Sequence, residues 1–244
     1  MRGMVAVRSN DAVGSLLGWW ELAGLSTPVA DETSDWLAAP AQPQPTAPIA
    51  VKAKSSGVDN MPDSIAEFLA WRSTSADVPE SAWPGTRIVP APAADNGIMI
   101  ITDLPDVEDM AAGALLSGET GRLFDRMLQA IGLSRDDVYL CSLATARPPG
   151  GVLNSPDAER LARIMRHQVA LSAPRKVLLL GDKTSRALLT ADAGDARGKL
   201  QIINHEHGSV GAIATFHPRL LMRQAAAKTE CWKDLQLFAK EVCS

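Results

Sequence analysis

A histidine, a carboxylate and an arginine stand where an α/β chain does its chemistry. His217 follows the alternating run 209–214 and precedes Pro218, whose fixed φ and missing N–H end a strand and leave the imidazole at its C-terminal edge. Open α/β sheets bind ligands at that edge. A His-Pro pair is also an ordinary turn, so the other strand ends have to decide. Residues 102–118 leave a second apolar run and are acidic, with Asp103, Asp106, Glu108 and Asp109. Residues 142–154 leave a third and carry one cation in the rigid turn Arg147-Pro148-Pro149-Gly150-Gly151. If the three runs are parallel neighbours, these loops share one rim. A carboxylate there can activate water while a histidine stabilises charge on a leaving group, which is the chemistry of hydrolysis. Spacing alone names no substrate.

The elements that must position this rim alternate in type. Strands are predicted at residues 97–101, 137–143 and 176–181, the last almost wholly apolar, as a central parallel strand is. Helices are predicted from residue 63, with Asp63 and Glu67 as acids at the positive end of its dipole, and over 121–131, 157–171 and 183–189. In the second of these, Leu123, Phe124, Met127, Leu128 and Ile131 fall on one face. Strands separated by helices imply an α/β fold, a three-layer α/β/α sandwich with a mostly parallel central sheet.

A chain of 244 residues, 46% hydrophobic and 21% charged, is globular rather than disordered or fibrous. It contains no apolar run of the roughly 18 residues a membrane span needs and no signal-peptide pattern, so a cytoplasmic protein is expected. The net charge of −4 resides in residues 1–90, and the remainder is balanced. Bulk charge therefore gives no support for nucleic-acid binding, although a local basic groove on a neutral domain stays open. Cys141, Cys231 and Cys243 have neither disulfide-framework nor metal-ligand spacing. His205-Glu206-His207 lacks a third ligand and reads as a solvated turn. Composition divides the chain into an N-terminal helical extension (1–37), with a helix over 11–25 carrying Trp19 and Trp20, a Pro/Ala-rich linker (38–62) and a main domain (63–244).

Across residues 64–237 the order of segments resembles family 4 of the uracil-DNA glycosylases. The residues that carry the resemblance are Glu108-Asp109 followed by Gly113, Gly118 and Gly121; Leu123-Phe124-Asp125-Arg126-Met127-Leu128; Arg147-Pro148-Pro149-Gly150; Leu180-Gly181; Arg197-Gly198; His217-Pro218; and Trp232-Lys233-Asp234-Leu235. The resemblance implies a protein that flips a uracil or related damaged base out of DNA and hydrolyses its N-glycosidic bond. On that footing His217 stabilises the leaving base and Asp103 handles water. Pro105, Leu116 and Ser142 belong to the base pocket. Arg147, Arg219, Leu220, Leu221 and Arg223 contact DNA, with the leucines as a wedge.

The motifs also depart from the family's. The first, usually Gly-Glu-Ala-Pro-Gly, is Thr102-Asp103-Leu104-Pro105-Asp106 here; Leu116 stands where a phenylalanine stacks on the base, and Ser142 where an asparagine reads its edge. Leucine has no π-face, and a hydroxyl cannot match the paired donor and acceptor of an amide. Most family members hold a [4Fe–4S] cluster on four cysteines; here Ala146 and the neighbourhood of Leu161 occupy two of those places and no cysteine precedes residue 98, so no cluster or other metal is expected. The expectation is a monomeric, glycosylase-like DNA repair protein with uracil-containing or otherwise damaged DNA as partner, and repair proteins beside it. The alternative is a catalytically inactive relative that binds DNA or a repair partner.

Overall fold

Five strands form one sheet in the order β2-β1-β3-β5-β4. The computed structural model describes residues 61–90, 97–189 and 196–242 of the chain. The extension, its helix at 11–25 and most of the linker lie outside them. Strands β1 (Ile98–Thr102), β2 (Tyr139–Ser142), β3 (Lys176–Leu180) and β5 (Gly208–Thr215) are parallel, and β4 (Gln201–His205) pairs antiparallel at the edge. All five residues of β1 are buried. That fits a strand covered on both faces, for which an unbroken apolar run is the sequence sign.

Helices α1 (Ile65–Thr74), α2 (Val107–Ala112), α3 (Gly118–Ala130), α4 (Ser155–Ser172), α5 (Asp182–Leu188), α6 (Pro218–Arg223) and α7 (Ala227–Val242) surround the sheet. Alternation of side chains along the strands gives two apolar layers. Met99, Ile101, Cys141 and Leu179 pack on one face with Leu161 and Met165 of α4 and Leu188 of α5. Ile100, Leu178 and Ile213 pack on the other with Phe124 of α3, Leu221 of α6 and Phe238 of α7. The three-layer sandwich is thus present, with a mixed rather than purely parallel sheet. Helix α1 is capped by the Ser64 hydroxyl and carries Glu67 in its first turn.

Two short elements escaped sequence reasoning. Helix α2 lies inside the acidic segment after β1, where Asp106 caps it and Asp109 closes a capping box. Its acids therefore look like loop residues in the sequence but act as cap partners. Strand β4 is the outer arm of a hairpin with β5, and Ile202 on it is exposed. An edge strand of this kind lacks the apolar density that marked the central strands. His205, Glu206 and His207 lie at the hairpin turn, where Glu206 reaches back to His167 of α4 at 3.0 Å.

A buried guanidinium fastens α1 to the sheet. Arg72 is 1% exposed and donates to the Gln168 side chain and to the carbonyls of Ser142 (3.1 Å) and Leu143 (2.5 Å). Its charge faces Glu80 at 3.7 Å, and one Glu80 oxygen accepts from the Thr145 amide (3.0 Å) and hydroxyl (3.1 Å). The segment that follows β2 is thereby held from behind. Removing one partner of such a pair leaves the other charge buried and uncompensated. Arg72→Met is expected to lower unfolding free energy by about 3–5 kcal/mol, read from urea denaturation, and Arg72→Met/Glu80→Gln to recover part of the loss. An Arg72→Met protein as stable as the parent would show that the pair carries no such role.

Candidate active site at the strand ends

The C-terminal ends of β1, β2, β3 and β5 meet on one rim. His217 follows β5, caps α6 and is 8% exposed. Its Nδ1 accepts the Arg219 backbone N–H at 3.1 Å, which leaves the ring proton of the neutral form on Nε2. Nε2 lies 3.0 Å from the Thr102 hydroxyl and 3.5 Å from Asp103 Oδ1. Burial pushes the imidazole below its ordinary value of 6.5, and the charge of Asp103 pulls it part of the way back. At neutral pH the ring is therefore an uncharged donor directed across the ends of β5 and β1.

Asp103 is the first residue beyond β1 and is 8% exposed. Its Oδ1 is buried and accepts no hydrogen bond among the described residues, while Oδ2 lies 3.9 Å from Lys183 Nζ. Ser142 ends β2 in register with Thr102, and its buried hydroxyl is likewise unpaired among the described residues. Buried polar atoms without partners are uncommon, and each of these two keeps hydrogen-bonding capacity for a water or a ligand. Thr102, Asp103, Ser142 and His217 thus place two orphaned acceptors and one neutral donor on adjacent strand ends.

A cavity of about 340 Å³ opens beside this group, lined among others by Asp103, Lys183, Phe216, His217, Leu220 and Arg223. Pro105, Leu116 and Ser142 are not on its walls. Pro105 is buried, and its carbonyl accepts from Arg147 at 3.1 Å. Leu116 packs in the apolar layer with Phe124 at a φ of +51°, and its carbonyl is held by Arg135 at 2.6 Å. A Cβ at Gly121 would stand 1.9 Å from that carbonyl, so only glycine allows the approach.

The expected DNA contacts separate into three kinds. Leu221 is 2% exposed and belongs to the core against α7, which corrects its assignment to a wedge. Leu220 is half-buried on the cavity wall, and the exposed apolar side chain of α6 is Met222. Arg147 and Arg219 both reach Asp106, at 3.3 Å and 2.7 Å. The closer contact is bent away from a hydrogen bond, since Arg219 Nε is otherwise unpaired. One carboxylate therefore ties together the segments after β1, β2 and β5. Arg223 is exposed and lines the cavity.

Sequence reasoning missed Thr102, Lys183 and Phe216. Lys183 stands two residues beyond Gly181, at the end of β3, so the strand-end rule applied to the third apolar run would have found it. Gly181 has φ +92°, and a Cβ there would lie 3.1 Å from His217 Cβ, so the glycine lets β3 close on the histidine. Phe216 is stacked under the Arg197 guanidinium at 4.0 Å from its ring centre.

This arrangement defines an α/β sandwich whose rim pairs a neutral histidine with a buried carboxylate. Residues 90–236, well over half of the chain, match the Uracil DNA glycosylase superfamily. The Type-4 uracil-DNA glycosylase of Pyrobaculum aerophilum is 28% identical over 149 residues, covering 58% of this chain and 76% of its own. Its namesake from Archaeoglobus fulgidus is 23% identical over 153 residues (60% and 76%), and that from Thermotoga maritima 27% over 137 (53% and 68%). The chain belongs to the uracil DNA glycosylase superfamily and is family 4-like within it.

The residues present do not fit a four-thiolate iron–sulfur cluster. Cys141 and Cys231 lie in the two apolar layers on opposite faces of the sheet. Burial pushes the Cys141 thiol up to about 12 and raises that of Cys231, the reverse of what a thiolate ligand needs. Ala146 and Leu161 are fully buried and apolar. No cluster of three or more metal-ligating side chains occurs among the described residues.

His217 supplies a pH signature. Its folded value lies below the unfolded one, so the unfolded chain takes up the proton first. The stability associated with the neutral ring is complete above about pH 6.5 and is lost as pH falls through the window beneath it. In an NMR titration the His217 ring signals should move with a midpoint below 6.5, and Asp103→Asn should lower that midpoint further. A midpoint that rises in Asp103→Asn would overturn the assigned charge contact.

Proposed function

We propose that this chain is a DNA glycosylase that hydrolyses the N-glycosidic bond of a flipped uracil or related damaged base, without an iron–sulfur cluster. The observation that carries the reading is the neutral His217 Nε2–H beside the orphaned Asp103 carboxylate at adjacent strand ends. As the bond between the sugar C1′ and the base nitrogen breaks, the electron pair leaves with the base and its carbonyl oxygen gains charge. His217 donates to that oxygen, and its lowered proton affinity makes it do so as the neutral ring rather than as the imidazolium. Water adds to C1′, and Asp103 orients it and accepts its proton. The Arg219 amide holds the ring through Nδ1 on the other side, and the Thr102 hydroxyl lies 3.0 Å from the donating Nε2 itself. Ser142 carries one buried hydroxyl at the position where the resemblance implies an amide that reads the base, and on this reading base choice differs from that of a uracil-specific pocket.

A second reading is favoured by one observation. Leu116 is committed to the core, so the side chain at the position where the resemblance implies a stacking aromatic offers no π-face to a base. A relative with such a pocket binds DNA without cutting it.

The two readings separate in one assay, abasic-site formation on single-stranded and mismatched uracil-containing DNA. The glycosylase reading expects cleavage, a loss of about 10²–10³ in rate for His217→Ala, and a gain in uracil excision for Ser142→Asn. DNA binding without cleavage in either the parent or Ser142→Asn selects the binding module. Purified protein is expected to show no visible iron–sulfur absorbance, and its appearance together with bound iron would refute the cluster-free part.

A further inference from the structure

A second groove, of about 910 Å³, adjoins the candidate site and belongs to no role described so far. It runs between the N-terminal half of α4 and helix α5, on the sheet face opposite α3 and α7. Its walls carry Arg160, Arg163 and Arg166 of α4 and Lys183 and Arg186 of α5, against one carboxylate, Glu159. The three arginines recur at i, i+3 and i+6 and so share one side of the helix. On a chain of net charge −4 this local excess is not a reflection of composition.

The cations are held in place without being neutralised. Arg160 donates to the Asp77 carbonyl at 2.6 Å and Arg166 to the Ala187 carbonyl at 2.8 Å, contacts that fix each guanidinium and leave its charge. Arg163 and Arg186 are exposed and pair with no carboxylate among the described residues. The first turn of the 18-residue α4, with Ser155 and Pro156, also opens into the groove and adds the positive end of its dipole. Lys183 lines both this groove and the cavity of His217 and Asp103, so the two concavities adjoin at one side chain.

We propose that this groove is a phosphate track for the DNA strand that carries the target base, leading its backbone away from the candidate site past Lys183 and along α4. The inference rests on the glycosylase reading and extends it. A flipped base brings its own strand to the rim, and that strand must leave over a neighbouring surface. This is a concavity that meets the rim and opposes the charge of phosphate. Of the three cations expected at first to serve DNA, Arg147 and Arg219 are already occupied by Asp106, and only Arg223 stays exposed beside the cavity. The groove therefore carries more uncompensated charge than the loops on which the family resemblance concentrates.

The test is fluorescence anisotropy of the full chain with a uracil-containing single-stranded oligonucleotide across a salt series. Binding through phosphates makes log K fall linearly with log salt, by about 0.7 of a unit of slope per contact on a single strand. Arg163→Gln/Arg186→Gln is expected to weaken binding equally on uracil-containing and ordinary oligonucleotides and to reduce the slope by about 1.4. Arg163→Lys/Arg186→Lys should retain the parent slope. Arg126→Gln/Lys228→Gln removes the same net charge from the opposite face and should leave the slope unchanged, with parental melting temperatures checking that each variant is folded. An unchanged slope in the groove variant, or an equal fall in the opposite-face control, overturns the track. If the parent binds and excises while the groove variant behaves like it, only this inference falls. If the parent binds no DNA at any salt, both readings fall together.

Discussion

A buried charge behind the sheet is the constraint on which the rim depends. Arg72 cannot be left unpaired at 1% exposure, because an isolated charge in that setting costs several kcal/mol. Its partners are the β2-end carbonyls, Gln168 of α4 and Glu80, which in turn grips Thr145. The requirement to satisfy one guanidinium therefore fixes helix α1, the end of β2 and the segment leading to Arg147 in a single geometry. Here Ala146 and Leu161 are apolar, and the bracing charge sits on Arg72 and Glu80.

The front of the rim uses the same physics with a different outcome. Asp106 accepts contacts from Arg147 and Arg219 and so joins three loops through one carboxylate. Neutralised in this way, it no longer presents a bare negative charge to an approaching phosphate. Asp103, by contrast, keeps a buried oxygen without a partner, and His217 beside it is held neutral by burial and oriented by an Arg219 N–H. Two acids three residues apart thus have opposite uses. One spends its charge on the scaffold, and the other keeps it for the site.

Superfamily membership and chemistry rest on different residues. The match across residues 90–236 extends over the whole sandwich, including capping, core and loop positions that only preserve the fold. Asp109, for example, is 3% exposed and bonds the Asp106 and Ser117 amides, and Asp234 bonds Thr215 and the Gly198 amide. Such residues serve the sheet and its rim through packing and hydrogen bonds within the fold, and none of those bonds depends on a ligand. Fold and pocket are free to diverge because packing selects one set of side chains and ligand contact another.

The sequence by itself determined the sandwich, the order of its main elements, and the placing of His217, Asp103 and Ser142 at strand ends. The reason is that apolar period and strand-breaking proline are local signals, readable without knowing any contact. Helix α2 and strand β4 were illegible because a short capped helix and a half-exposed edge strand lack those signals. Only the tertiary structure decided which atoms meet. It set the tautomer of His217 through the Arg219 amide, turned Leu221 inward, gave Asp106 to two arginines and brought Lys183 between the cavity and a line of arginines on α4. Each of these depends on distances between segments far apart in the chain, and no pattern of neighbours along the sequence encodes them.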